Sequence, residues 1–195
     1  MEKIIVLYPG SFKPLHGGHL ELIQRYNDNP SVEAIRVLIG PGVRDNIDQK
    51  IAVKIAEKLI NLPKVFIDSV EWSSPVLAAY KILENSRYGV YALAASSKET
   101  ENSDRINNFV FKHSKEGKFY KENISVINLP IDISPLNFKG RNDENEGKPI
   151  SSSVLRQDLA KADINNFITG YPNCSENQIK GVYEILLKNL LNSIK

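Results

Sequence analysis

Two groups of phosphate-compatible residues stand near opposite ends of the 195-residue sequence. The first is Gly10-Ser11-Phe12-Lys13-Pro14-Leu15-His16-Gly17-Gly18-His19. Pro9, Gly10 and Pro14 constrain the backbone to a tight path, and Gly17 and Gly18 remove side chains where a helix is about to begin. A phosphate could approach the backbone there, where unpaired N–H groups and the positive end of the helix dipole favour an anion. His16 and His19 are three residues apart across that helix start and so project to one side, where both could donate to one polyphosphate. A single histidine at a helix start is more often a cap, and Gly-Gly alone is a turn. What favours a ligand site is that two of the three histidines share one glycine-framed turn with Ser11 and Lys13. Two histidines could also be zinc ligands, but no nearby cysteine or carboxylate completes a site, and zinc is set aside.

The second group is Ile150-Ser151-Ser152-Ser153-Val154-Leu155-Arg156. Serine is a preferred helix cap, and capping is the ordinary explanation for such a run. Three consecutive hydroxyls followed by Arg156 one turn in would also make a second anion site, with donors, dipole and a fixed positive charge converging. Lys139, Arg141 and Lys148 are close in sequence, in a stretch that could fold over a triphosphate. The third histidine, His113, follows Phe109 and Phe111 beside Lys112 and Lys115, and reads as a solvated helix end.

Positioning these groups requires a scaffold, and the apolar pattern supplies one. Short continuous apolar runs at residues 4–7, 35–39, 65–67, 90–94 and 124–127 suit strands buried on both faces. Between them lie helically spaced sets, namely Leu20, Ile23 and Tyr26, then Ile51, Ile55 and Leu59 after Asp48, then Val76, Ala79, Tyr80 and Leu83 after Pro75. The alternation predicts an α/β fold, a Rossmann-like doubly wound parallel five-stranded sheet with C-terminal helices. Ligands in such sheets bind beyond the strands' carboxyl ends, which is where the first group falls. A single domain is expected over 1–195, with an α/β core over 1–135, a mobile loop over 136–149, and a signature helix and helical tail over 150–195 that includes a Ser175/Gln178 capping box.

Composition narrows the partners. With 25 Lys and Arg against 23 Asp and Glu the net charge is only +2, which argues against a nucleic-acid coat or a polybasic membrane contact and is compatible with a small anionic ligand. The lone Cys174 rules out an internal disulfide framework, reads as an inert thiol, and suits a cytosolic setting. No apolar run is long enough for a signal-peptide core or a membrane span.

Residues 10–19 and 150–156 together resemble the two signature motifs of the HxGH nucleotidyltransferase superfamily, in that family's order. The opening Tyr8-Pro9-Gly10-Ser11-Phe12 is similar to phosphopantetheine adenylyltransferases, and the paired histidines resemble nicotinamide-mononucleotide adenylyltransferases. The Gly-Ser-Phe-Lys-Pro wording also looks like nucleotidyltransferase-like proteins encoded by bacteriophages, whose location would be the host cytoplasm. The resemblance implies transfer of a nucleoside monophosphate, AMP favoured over CMP, from a nucleoside triphosphate to a small phosphorylated acceptor such as nicotinamide mononucleotide. Pyrophosphate would leave, and Mg²⁺ would be held by the nucleotide and water rather than by a protein cage. His16, His19, Lys13 and Arg156 would be catalytic, and Gly10, Ser11, Phe12, Gly18, Ser151, Ser152 and Ser153 would bind the nucleotide. Arg44, in the Gly-Pro-Gly-Val-Arg loop, would grip the acceptor phosphate, and Trp72 would stack on its ring.

The sequence also departs from the family's wording. Ser153 stands in place of Thr, Lys13 in place of Asp, and Ala94-Ala95-Ser96-Ser97-Lys98 in place of a Gly-x-Asp signature, with Asp104 and Arg105 next in line for base recognition. The competing reading is a non-catalytic nucleotide-binding or assembly protein that keeps the fold, such as a phage component. A fragment related to class I aminoacyl-tRNA synthetases would share the histidine motif, but the chain has no room for an anticodon-binding domain and no Lys-rich second signature. Self-association is compatible with all of these readings.

Overall fold

A computed structural model describes residues 3–72, 74–94, 103–129, 131 and 134–192. Residues 95–98, part of the expected base-recognition segment, lie outside the described residues. The chain divides into two compact units, Met1–Gly10, Leu22–Pro41 and Leu62–Ile133 in the first, Ser11–Glu21, Gly42–Asn61 and Ser134–Lys195 in the second.

The first unit contains the sheet. Each of the five apolar runs forms a strand: β1 (Ile4–Gly10), β2 (Val32–Ile39), β3 (Val65–Ser69), β4 (Gly89–Leu93) and β5 (Ile124–Ile127). All pairings are parallel, in the order β3-β2-β1-β4-β5, so the chain winds outward from β1 through β2 and β3 and then returns to lay β4 and β5 on the other side. Val6, Leu7 and Tyr8 are buried one after another on β1, the burial on both faces that continuous apolar runs signal. Helices α3 (Pro75–Asn85) and α4 (Ser103–His113) cover the sheet, joined by Leu22 to Asp28 of α1 (Gly17–Asp28). Pro75 opens α3, where a missing N–H costs nothing. Leu7, Leu38, Ala79, Leu83, Tyr91 and Phe109 form its core.

His113 is not the solvated helix end expected from the sequence. It is 6% exposed at the close of α4, with Nδ1 2.8 Å from the carbonyl of Phe109. Its ring stacks on Tyr80 at 5.4 Å and meets Phe119 at 5.7 Å. The basic neighbours Lys112 and Lys115 masked the aromatic periodicity that buries it.

The second unit is helical. Asp48 caps α2 (Gln49–Leu59) by accepting from the amide of Ile51 at 2.8 Å. Helices α5 (Ser152–Ala160), α6 (Ile164–Ile168) and α7 (Glu176–Asn192) follow, the last opened by the reciprocal Ser175/Gln178 capping box.

Residues 136–149 are organised around one cation in this unit. Asn137 bridges to Pro149, Phe138 is fully buried, and the Arg141 guanidinium lies 4.6 Å over its ring. Arg141 donates to both oxygens of Asp158 at 2.8 and 2.7 Å, both oxygens of Asp143 at 2.9 and 2.6 Å, and the carbonyl of Asn166 at 2.9 Å. Those bonds use every nitrogen of the fork. Hydrogen bonding to Arg141 holds the Asp143 carboxyl below the usual carboxylate range, and the two carboxylates push the guanidinium above its ordinary value. Arg141 therefore faces inward and does not travel with a loop over a triphosphate. Asp158→Ala should cost about 3–5 kcal/mol, because it strands a buried charge. Arg36→Ala, which breaks the part-exposed pair with Asp68, should cost under about 1 kcal/mol. Urea unfolding of both variants measures the contrast, and equal losses would show that the Arg141 network does not carry this unit.

Candidate functional site

Residues 11–16 run as a turn with no helix or strand of their own, so their carbonyls need partners from elsewhere in the chain. The C-terminal segment of the same unit provides them. Arg156 Nη1 donates to the Lys13 carbonyl at 2.8 Å, Ser152 Oγ to that of Pro14 at 2.9 Å, and Tyr171 OH to that of Leu15 at 2.9 Å. The Gly17 amide donates to Gly170 O at 2.8 Å. The two sequence groups, about 140 residues apart, are thus joined directly. Gly17 is required by packing, since a Cβ there would sit 2.8 Å from both Gly170 O and Pro172 Cδ.

Backbone geometry then fixes the histidines. The His16 amide donates to His19 Nδ1 at 3.2 Å, and the Gly18 amide donates to His16 Nδ1 at 3.2 Å. A ring nitrogen that accepts an amide proton carries none itself, so each imidazole holds its proton on Nε2. The rings stack with centroids 3.7 Å apart, and Phe12 meets His19 edge-on at 5.1 Å. A Cβ at position 18 would stand 3.2 Å from His16 Cε1, so Gly18 leaves room for that ring. Burial pushes the His19 imidazole down to about 4, and the ring is neutral at physiological pH.

Lys13 is 2% exposed, and its ammonium donates to the carbonyl of Gly42. Burial lowers its pKa from the ordinary value, the charge of Asp48 opposes that shift, and the charge of Arg44 adds to it. Arg44 itself is exposed and begins a tight turn with Ile47, the two exchanging backbone hydrogen bonds of 3.1 and 2.9 Å. Asp45 and Asn46 have φ of +46° and +63°, as a type I′ turn requires. That turn aims the Asp45 carboxylate at Arg156 Nε.

The serines divide their labour unexpectedly. Ser151 takes the cap position of α5 without a side-chain capping bond, and its hydroxyl pairs with that of Ser153 at 3.1 Å. Ser152 has spent its proton on Pro14, so its hydroxyl positions the turn. Ser11 is exposed. Gly10 and Trp72 belong to the first unit, where Gly10 accepts from the Gly40 amide at 3.2 Å and Trp72 is 38% exposed beyond β3. Asp45 was not foreseen, although Asp-Asn after Gly42-Val43-Arg44 is a turn signal of the kind that tolerates positive φ.

No protein-family model and no curated protein matches the chain. Solved structures do. Nicotinic acid mononucleotide adenylyltransferase of Plasmodium falciparum complexed with APC is 17% identical with a TM-score of 0.56, over 99% of this chain and 98% of that one. The same enzyme complexed with NaAD is 16% identical with a TM-score of 0.51, over 98% and 96%. A bifunctional NMN adenylyltransferase/ADP ribose pyrophosphatase of Francisella tularensis, complexed with AMP and a manganese ion, is 18% identical with a TM-score of 0.50. This chain covers 54% of that protein's length. The fold is that of these nucleotidyltransferases, a five-stranded parallel α/β sheet with flanking helices.

The depressed His19 pKa links stability to pH. An unfolded imidazole titrates near 6.5 and the folded one near 4, so the folded state gives up protons. Its contribution is present above 6.5 and is lost as pH falls from there toward 4. Between about pH 7.5 and about pH 4.5 this should remove roughly 2–3 kcal/mol from the unfolding free energy. Denaturant titrations of the parent and of His19→Gln check it: the variant should lack that share of the acid loss, and an unchanged acid loss would contradict the assignment.

Proposed function

We propose that the chain is a nucleotidyltransferase moving AMP from ATP to a small phosphorylated acceptor, with nicotinamide mononucleotide the first candidate and phosphopantetheine the second. The observation that carries this reading is the pair of stacked imidazoles, both held as Nε2–H donors in the turn whose carbonyls anchor Ser152 and Arg156. An oxygen of the acceptor phosphate attacks the α-phosphorus, the bond to the bridging oxygen breaks, and its electron pair leaves on pyrophosphate. The attacking phosphate is already ionised, so no general base is needed, and positioning and charge stabilisation dominate. His16 and His19 donate to the α-phosphoryl oxygens as charge builds, a kind of contact worth about 10²–10³ in rate. Lys13 adds positive potential from beneath the turn. Arg156 and the amides opening α5 receive the β- and γ-phosphates, with Ser151 and Ser153 sharing one free hydroxyl proton between them. Ser11 and Phe12 line the nucleotide's path, and Arg44 receives the acceptor phosphate.

Apart from the Asp45 carboxylate paired with Arg156, the side chains that converge here are cationic or hydrogen-bond donors, and among the described residues no group of three His, Cys, Asp or Glu could hold a metal. That donor set fits a magnesium ion carried on the phosphates and completed by water, whose role when bound is to neutralise phosphate charge. The adenylyltransferase neighbours support adenylyl transfer at the level of fold.

In the chain as it stands, the Asp45 carboxylate occupies the Nε of Arg156 that a phosphate would take. Asp45→Asn should therefore lower the KM for ATP several-fold and leave kcat nearly unchanged. His19→Ala should lower turnover at least about 100-fold while leaving the fold intact. Pyrophosphate release with Mg²⁺, across the four nucleoside triphosphates and a panel of phosphorylated acceptors, measures both. A folded protein that turns over no combination would make it a non-catalytic nucleotide-binding or assembly protein instead.

A further inference from the structure

Away from these residues, the first unit holds a cavity of about 520 Å³ that the proposed chemistry does not use. It is bounded by α3, the end of α4 and the approach to β5, and its wall is aromatic and basic: Tyr80, His113 and Phe119 beside Lys112, Lys118 and Lys121. The rings form one continuous cluster, with Tyr80–His113 centroids 5.4 Å apart, Tyr80–Phe119 5.5 Å and His113–Phe119 5.7 Å. Ammonium groups are interleaved with them. Lys112 Nζ lies 5.5 Å from the Tyr80 centroid and Lys118 Nζ 4.7 Å from that of Phe119.

Several charges in this wall have structural partners. Lys121 donates to the carbonyls of Leu83, Glu84 and Ser86 and so closes the end of α3, while Lys81 pairs with Glu84, the one acidic residue among the described residues lining the cavity. Among the described residues, Lys112 and Lys118 are engaged with ring faces and, for Lys112, with the Tyr80 hydroxyl at 3.5 Å. His113 is buried and spends its Nδ1 proton on Phe109, so its Nε2 is left as a hydrogen-bond acceptor within a basic wall. Positive potential, flat apolar surface and a single buried acceptor together describe a complementary ligand.

We propose that this cavity binds a planar, anionic small molecule whose ring carries an N–H or O–H donor. The ring packs on the Tyr80–His113–Phe119 wall, its donor meets His113 Nε2, and its anionic group is held by Lys112 and Lys118. An aromatic carboxylate and a nucleoside monophosphate share this chemistry, and the volume admits either.

The test follows ¹H–¹⁵N spectra of the full-length protein titrated separately with 4-hydroxybenzoate and with each nucleoside monophosphate. Expected is saturable perturbation of residues 80, 112, 113 and 118–121 by at least one probe, retained in His19→Ala and weakened at least about ten-fold in Lys112→Glu. Which probe saturates the cavity distinguishes a carboxylate ligand from a nucleotide. Lys118→Ala, a gentler change, should weaken the same perturbation and guards against a folding defect in the charge-reversed variant. Perturbation confined to residues 11–19 and 150–156, insensitivity to both lysine variants, or no saturation by any probe would overturn the proposal.

Discussion

Three carbonyl groups, those of Lys13, Pro14 and Leu15, sit in a turn that cannot satisfy them, and the candidate site is organised around their partners. Leaving a buried carbonyl without a donor costs about 1–3 kcal/mol, so the C-terminal segment is held in register by three separate donors. One of them, Arg156, is also the residue that in the proposed polyphosphate site would face the ligand. One end of the chain therefore shapes the turn that presents the histidines, and the turn in exchange orients α5. A loss of function on replacing Arg156 would for that reason mix two effects, a missing charge and an unsatisfied Lys13 carbonyl.

The same economy governs the histidines. Their tautomers are set by the amides of His16 and Gly18, groups at the start of α1 that lack helical partners. Neutral imidazoles donating through Nε2 suit a site that must stabilise developing charge without itself changing protonation, and the depressed pKa of His19 points the same way. Asp45 works in the opposite sense. It occupies Arg156 with a carboxylate on a turn exposed to solvent, where, in the proposed site, exchange for a phosphate would cost little because the carboxylate side chain is 70% exposed.

Much of this was legible in the sequence because it rests on local signals. Buried parallel strands write themselves as apolar runs, and all five were readable; Asp48 before α2 and Ser175/Gln178 before α7 are cap patterns that need no tertiary information. The two residue groups could be paired by their chemistry. Where the reading failed, a long-range partner decided the outcome. His113 looked solvated among lysines, but Tyr80 and Phe119 enclose it. Arg141 looked like a loop cation, yet Asp158, seventeen positions on, turns it inward. The partner of Ser152, the Pro14 carbonyl 138 residues away, was equally hidden. Spacing along the chain carries no record of such pairings.

The central claim, that the turn holds two neutral imidazoles as Nε2–H donors for a polyphosphate, is tested most directly by ¹⁵N spectra of the histidine rings at neutral pH. The account predicts that His16 and His19 are protonated on Nε2 alone, that His113 shows the opposite tautomer, and that a non-hydrolysable ATP analogue with Mg²⁺ shifts the Nε2 signals of the first two. Protonated or Nδ1–H rings at positions 16 and 19, or signals indifferent to the nucleotide, would contradict it.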